Sequence, residues 1–355
     1  MTRPIDWHAH WIPPRLADLL RSRPVTPRIA LDPSGEKEVL LREEGGPGQP
    51  LPATFVSLDA RLRALDRAEV ERQVLSLPGF FGDDTLPLAD TLALARAFND
   101  GLSELIVRHP ERFSGLAILP ASHPEEAAEE LERSLRDLGL IGALLPVDAF
   151  LTLASARTLE PILAVAEEWG AHLFVHPGGW RGSRHGHGTP AAVESPAADT
   201  FRTAVLDLQG RISSAYVTLA YTDLLVPYPS VTVQLANLGG ALPFYADRLH
   251  NVAAKRGLSD PISPLRRIYV DTGSLSTNSV ELAAKVLGTD RLLFGTDDPV
   301  FSLAANVDGI RASRLTQEEQ RDLLAENGRP LLHRRQRRQP AKAAQPVSAP
   351  ALIPA

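Results

Sequence analysis

Residues 5–10 read IDWHAH, Ile5 to His10. An apolar residue, an acid and an aromatic ring lead directly into two histidines spaced i, i+2. Residues i and i+2 of an extended strand point to the same side. At a strand's end, His8 and His10 therefore converge on one metal ion, and a metal with open coordination positions is a reaction centre.

Downstream, short β-rich apolar runs alternate with amphipathic helical runs. Eight strands are expected: Ile5–His10, Arg72–Leu77, Phe113–Leu119, Ile141–Val147, His172–His176, Val231–Ala236, Ile268–Asp271 and Leu292–Gly295. Helices are expected between them over Ser57–Ala68, Pro87–His109, Pro124–Leu138, Ala156–Trp169 and Ser279–Leu287. Pro124 followed by acids is a helix N-terminus. Alternating strands and helices imply a parallel sheet, and eight such units imply a (β/α)8 TIM barrel with its active site at the C-terminal ends of the strands. The chemistry-bearing residues collect at those ends. His8 and His10 close strand one, His176 closes strand five ahead of Pro-Gly-Gly, Asp271 closes strand seven, and Asp297 and Asp298 close strand eight. Three histidines and a carboxylate on one face offer N/O ligands suited to Zn²⁺, with Mn²⁺ or Fe²⁺ as alternatives. A five-coordinate ion on four protein ligands retains room for water.

Composition narrows the rest. The chain has 355 residues, 44% hydrophobic and 23% charged, ordinary for a globular protein with a large core. With no cysteine there is no disulfide, thiol nucleophile or thiolate ligand, which fits a reducing cytoplasm. The net charge of −6 gives no reason to expect nucleic acid. No apolar run reaches the roughly 18 residues of a membrane helix, and the first residues lack the basic and apolar regions of a secretion signal. The expected organisation is a barrel over 1–332 and a disordered tail over 333–355, where HRRQRR gives way to Pro/Ala-rich sequence. Residues 21–52, containing GEKE and EEGGPGQPLP, are expected to form a long loop over one end of the fold.

The order and spacing of several segments give a sharper reading. IDWHAHWIP opens the chain; HPERFSGLAILP (109–120), AAEELERSLRDLGLIGALL (127–145), LEPILAVAEEWGAHLFVHPGG (159–179), YPSVTVQLANLGGALPFYADRL (228–249) and DRLLFGTDDPV (290–300) follow. Together they resemble the amidohydrolase-related decarboxylases of the aminocarboxymuconate-semialdehyde decarboxylase-like group, over about Ile5 to Leu332. The resemblance implies a metal-bearing barrel, commonly dimeric, acting on small aromatic or unsaturated carboxylates. It places the metal ligands on His8, His10, His176 and Asp297. A substrate-carboxylate arginine supplied by a neighbouring subunit falls on Arg248, whose planar fork suits a carboxylate. A second substrate arginine is implied in the loop before strand two, with no position assigned. The family's histidine at the end of strand six, the expected base for a metal-bound water, is replaced by Asn237 in the ungapped segment ANLGGALPF. Asparagine hydrogen-bonds but takes up no proton at neutral pH.

Candidate substitutes for that histidine are Asp271, Asp297 and the loop histidines His185 and His187; Trp180 and Trp11 are candidate pocket walls. His109, His123, His172, His250 and His333 are read as surface or helix-flank residues without a role. The expected activity is a metal-dependent decarboxylase. Asp297 or metal-bound water supplies the proton, Asn237 and Asp271 assist, and Arg248 and Trp180 hold substrate. The alternatives are a metal-dependent hydrolase of an amide or lactone and, because of Asn237, a non-catalytic relative. Expected partners are a small carboxylate and a second copy of the chain, with neither nucleic acid nor membrane.

Overall fold

The computed structural model describes residues 2–42, 44–46, 48–77, 86–178, 196–260, 267–274 and 276–332. Eight parallel strands form its centre: β1 (Ile5–His10), β2 (Arg72–Ser76), β3 (Phe113–Ala117), β4 (Gly142–Pro146), β5 (His172–His176), β6 (Thr232–Leu235), β7 (Ile268–Asp271) and β8 (Leu292–Leu293). Each pairs with the next in chain order. The ring closes where β1 meets the segment after β8. Trp7 N donates to Phe294 O at 2.8 Å, Asp297 N to His8 O at 2.6 Å and His10 N to Asp298 O at 2.7 Å. The expected (β/α)8 barrel is therefore present, with every expected strand in place. The strands read as near-continuous apolar runs because both faces are covered, one by the barrel interior and one by helices. Ile5, Val74, Leu116, Phe174, Leu235, Val270 and Phe294 are all fully buried.

The helices follow their local signals. Pro124–Arg136 carries Glu125 and Glu126 in its first turn and Arg133 and Arg136 in its last, complementing the helix dipole. The helix expected over Ala156–Trp169 is two helices, Leu153–Arg157 and Glu160–Trp169. Pro161 starts the second, since it cannot donate the backbone bond that continuity would require.

The expected long loop over residues 21–52 is corrected: it contains a three-stranded antiparallel sheet of Arg28–Leu31, Glu38–Leu41 and Gln49–Pro50. A tight turn joins the first pair. Asp32 Oδ1 accepts from Glu36 N at 3.2 Å and Ser34 Oγ at 2.6 Å, and Gly35 takes φ +77°. Asx hydrogen bonding and a left-handed glycine are what such a turn needs. Ile29 and Leu40 anchor the sheet in the core. The expected tail, 333–355, lies outside the described residues.

Candidate metal centre

β1 delivers His8 and His10, β5 ends on His176, and the turn after β8 presents Asp297. One ligand atom from each lies within 4.8 Å of all the others. His8 Nε2 is 3.0 Å from His176 Nε2 and 3.5 Å from Asp297 Oδ1; His10 Nε2 is 3.0 Å from the same carboxylate oxygen. Asp297 reaches this point from a left-handed backbone, φ +60°. Among the described residues the positive-φ non-glycines are Glu69, Asn237, Leu238, Ser274 and Asp297. All but Glu69 follow β6, β7 or β8, so backbone strain concentrates around the site.

The far side of each ring is already committed. His8 Nδ1 donates to Asp271 Oδ1 at 3.0 Å and His176 Nδ1 to the Pro177 carbonyl at 2.9 Å. His10 Nδ1 lies 3.3 Å from Ser76 Oγ. All three imidazoles thus turn Nε2 inward. With both Nδ1 positions committed, the His8 and His176 Nε2 atoms face each other at 3.0 Å, a separation that a shared proton bridges and that a metal ion bound by both nitrogens also fits. His10 Nε2 is buried without a hydrogen bond of its own. Three imidazole nitrogens and a carboxylate oxygen around this point fit a divalent transition metal.

The electrostatics agree. Burial lowers the pKa of His10 and of His176, keeping both neutral and able to ligate. Burial alone would also lower His8, but the Asp271 and Asp297 carboxylates outweigh it and raise the group to about 9, so this point in the cluster favours positive charge, and a bound metal would take the place of the Nε2 proton. Burial would raise Asp297, yet the three histidines hold it down at about 2, so it remains a carboxylate.

Around the ligands lies a polar shell that is fully buried. Asp271 accepts from His8 Nδ1, from Gly273 N at 2.8 Å and from Asn237 N at 3.2 Å through Oδ1, and from Gln234 Nε2 at 2.6 Å through Oδ2. So engaged, Asp271 is a partner that orients His8 rather than a base open to substrate. Asn237 is 5% exposed at φ +53°, and its side-chain oxygen is buried without a partner. Asp6 binds the backbone of β1 and β8 together, accepting from His8 N, Thr296 N and Thr296 Oγ1, and from Gln73 Nε2. Burial raises its pKa to about 7. Arg61, 1% exposed, donates to the Thr54 and His10 carbonyls and Gln73 Oε1 and pairs with Asp298 Oδ2 at 3.1 Å. Asp298 is thereby paired with Arg61 and is not among the four converging groups.

The amidohydrolase family model, Amidohydro_2, matches residues 5–334. The chain belongs to the amidohydrolase family. Among its relatives is the 2-amino-3-carboxymuconate-6-semialdehyde decarboxylase of Dictyostelium discoideum, 26% identical over 315 residues, covering 86% of this chain and 84% of that protein. The gamma-resorcylate decarboxylase of Rhizobium radiobacter is 27% identical over 293 residues, covering 77% and 86%. Among solved structures, the dihydroxybenzoic acid decarboxylase of Polaromonas sp. JS666, with bound manganese and the inhibitor 2-nitroresorcinol, superposes with a TM-score of 0.68 at 20% identity, covering 94% of this chain and 97% of that one.

Within this amidohydrolase the remaining sequence candidates are dispersed. Arg248 is exposed on the helix Leu242–Arg256, outside the barrel. Trp11 is 1% exposed and packs under the Arg61 guanidinium, 5.2 Å from its ring centroid, so it is core rather than pocket wall. Trp180, His185 and His187 lie outside the described residues. His172 corrects the sequence reading: it is buried at the start of β5, not on the surface. Asp6, Arg61, Gln73 and Gln234 escaped that reading because, in sequence, each resembles any polar residue in or beside an apolar run. The one available signal was an acid or amide inside a strand with no exposed face to occupy.

Proposed function

We propose that this amidohydrolase is a metal-dependent carboxy-lyase acting on a small aromatic carboxylate. The observation that carries the reading is the convergence of His8, His10, His176 and Asp297 at the C-terminal end of a barrel whose relatives are decarboxylases. The reaction breaks the bond between ring carbon and carboxylate, releases CO₂ and places a proton on the ring carbon. Bound by the four ligands, a divalent ion supplies a Lewis acid that holds a substrate oxygen and stabilises the charge developing as CO₂ leaves. The donor set takes Zn²⁺, the ion expected from sequence; manganese in the Polaromonas structure makes Mn²⁺ the second ion to test.

Asp297, partly open at 15% side-chain exposure and held as a carboxylate, is placed to relay to the ring carbon a proton that it first takes up from a substrate hydroxyl or from solvent. Asn237 offers its amide as a hydrogen-bond partner to substrate oxygen. It cannot accept a proton, which disfavours the hydrolase alternative with its need for an activated water. Arg248 grips a substrate carboxylate from a neighbouring copy in a homodimer.

The test is CO₂ release from a panel of hydroxybenzoates and related aromatic carboxylates, using Mn²⁺- and Zn²⁺-loaded protein. Release that ceases on chelation and in His8→Ala supports the reading. Hydrolysis of amides or lactones by the loaded protein, without CO₂ from any carboxylate, contradicts it.

A further inference from the structure

The interior of a (β/α)8 barrel is ordinarily filled by layers of branched apolar side chains. In this barrel the layers below the metal centre hold a histidine and a glutamine. His172 opens β5, and Gln234 on β6 sits in register with Phe174, one layer higher. They are 2% and 0% exposed. Burying such groups is costly unless each polar atom is paired, and here each is. We infer that His172 and Gln234 are positioning residues for the metal ligand His8, acting through Asp271.

Every link in the chain has one permitted direction. Gln234 Nε2 faces two groups that only accept, Asp271 Oδ2 at 2.6 Å and the Trp7 carbonyl at 3.2 Å. Its NH₂ must point there, so Oε1 points down the barrel and accepts from His172 Nε2–H at 3.0 Å. His172 Nδ1 then accepts from the Thr232 hydroxyl at 2.9 Å. The result is a carboxylate pinned at both oxygens. Gln234 holds Oδ2, which fixes rotation about the Asp271 side chain and leaves Oδ1 aimed at His8 Nδ1, 3.0 Å away. That bond keeps the proton of His8 on Nδ1 and its Nε2 directed at the ligand cluster. Partners one step out from a ligand commonly change metal affinity ten- to a hundredfold; His172 and Gln234 extend that support to the far end of the barrel.

This inference rests on the metal-centre reading, and its test needs no substrate. Co²⁺ affinity, by chelator competition, and the visible spectrum of the Co²⁺-loaded protein are measured for the parent, His172→Phe, Gln234→Met and the double variant, with thermal unfolding alongside. Gln234→Met is expected to weaken Co²⁺ binding about tenfold or more and to shift the spectrum, with His172→Phe moving both in the same direction. The double variant, which removes the His172 Nε2–H orphaned by Gln234→Met but leaves Asp271 Oδ2 and the Trp7 carbonyl unpaired, is expected to recover part of any lost thermal stability but not the lost affinity. If Gln234→Met does not fold, the double variant and His172→Phe carry the same comparison. Variants that lose only thermal stability, with Co²⁺ affinity and spectrum at parental values, overturn the inference. A parent that binds no Co²⁺ overturns the metal-centre reading instead.

Discussion

At the scale of the residue, a metal centre on His8, His10, His176 and Asp297 depends on the side chains that aim those four groups as much as on the groups themselves. HxH at a strand's end, and a histidine or aspartate at two other strand ends, survive in sequence as patterns. The residues that aim them do not. Asp271 was visible as the end of β7, but its hold on His8 is a contact between residues 263 positions apart. Asp271→Leu, which removes that acceptor, should weaken metal binding ten- to a hundredfold in a titration of the folded protein. Asn237 is the residue-scale departure with the largest consequence. Its side-chain oxygen is buried without a partner, and its backbone N donates to Asp271 Oδ1. Asn237→Ala should slow decarboxylation about ten- to a hundredfold, the scale of a hydrogen bond lost at a transition state. Steady-state kinetics at saturating substrate check this, and unchanged kinetics in both Asn237→Ala and Asn237→His would remove the residue from the chemistry.

At the scale of the element, strands were read more accurately than the connections between them. Buried strands declare themselves by apolar runs, whereas the hairpin within residues 28–41 hides in a charged, Gly- and Pro-containing stretch. Its pairing depends on Ile29 and Leu40 finding the core. Close approach between elements is equally invisible in sequence. A Cβ added to Gly273, just past β7, would collide with His8 Nδ1 and lie 2.8 Å from Asp271 Oδ1. Gly273→Ala should therefore displace the ligand from its partner and lower metal affinity, with little change in far-ultraviolet circular dichroism. At the foot of β5, burial pushes His172 down to about 4 from an ordinary 6.5. The folded protein keeps it neutral, while the unfolded chain takes up a proton below 6.5. Its contribution is thus complete above that pH and is lost as pH falls towards 4, by about 3 kcal/mol in all. Denaturant unfolding at pH 7 and pH 4.5 should show the stability difference between parent and His172→Phe moving in favour of the variant at the acid pH.

At the scale of the whole molecule, the barrel was readable from eight alternating units, but nothing in one chain's sequence states what its outer faces meet. The helix Leu242–Arg256 leaves Phe244 77% exposed and Val252 41% exposed, with exposed Arg248 midway along the same i, i+4 stripe. An apolar stripe of this kind, with an arginine inside it, is what a subunit contact would cover. Arg248→Ala should raise KM for an aromatic carboxylate about ten- to a hundredfold with a smaller effect on kcat, as loss of a charged hydrogen bond to substrate does. A protein that sediments as a monomer at assay concentration, with unchanged KM in that variant, would detach Arg248 from the site.

The most direct test of the account is the anomalous difference density of crystals grown with Mn²⁺ or Zn²⁺. The account predicts a single strong peak per chain, about 2.0–2.2 Å from the Nε2 atoms of His8, His10 and His176 and from a carboxylate oxygen of Asp297. No peak among these four side chains, or a metal held elsewhere in the barrel, would contradict it.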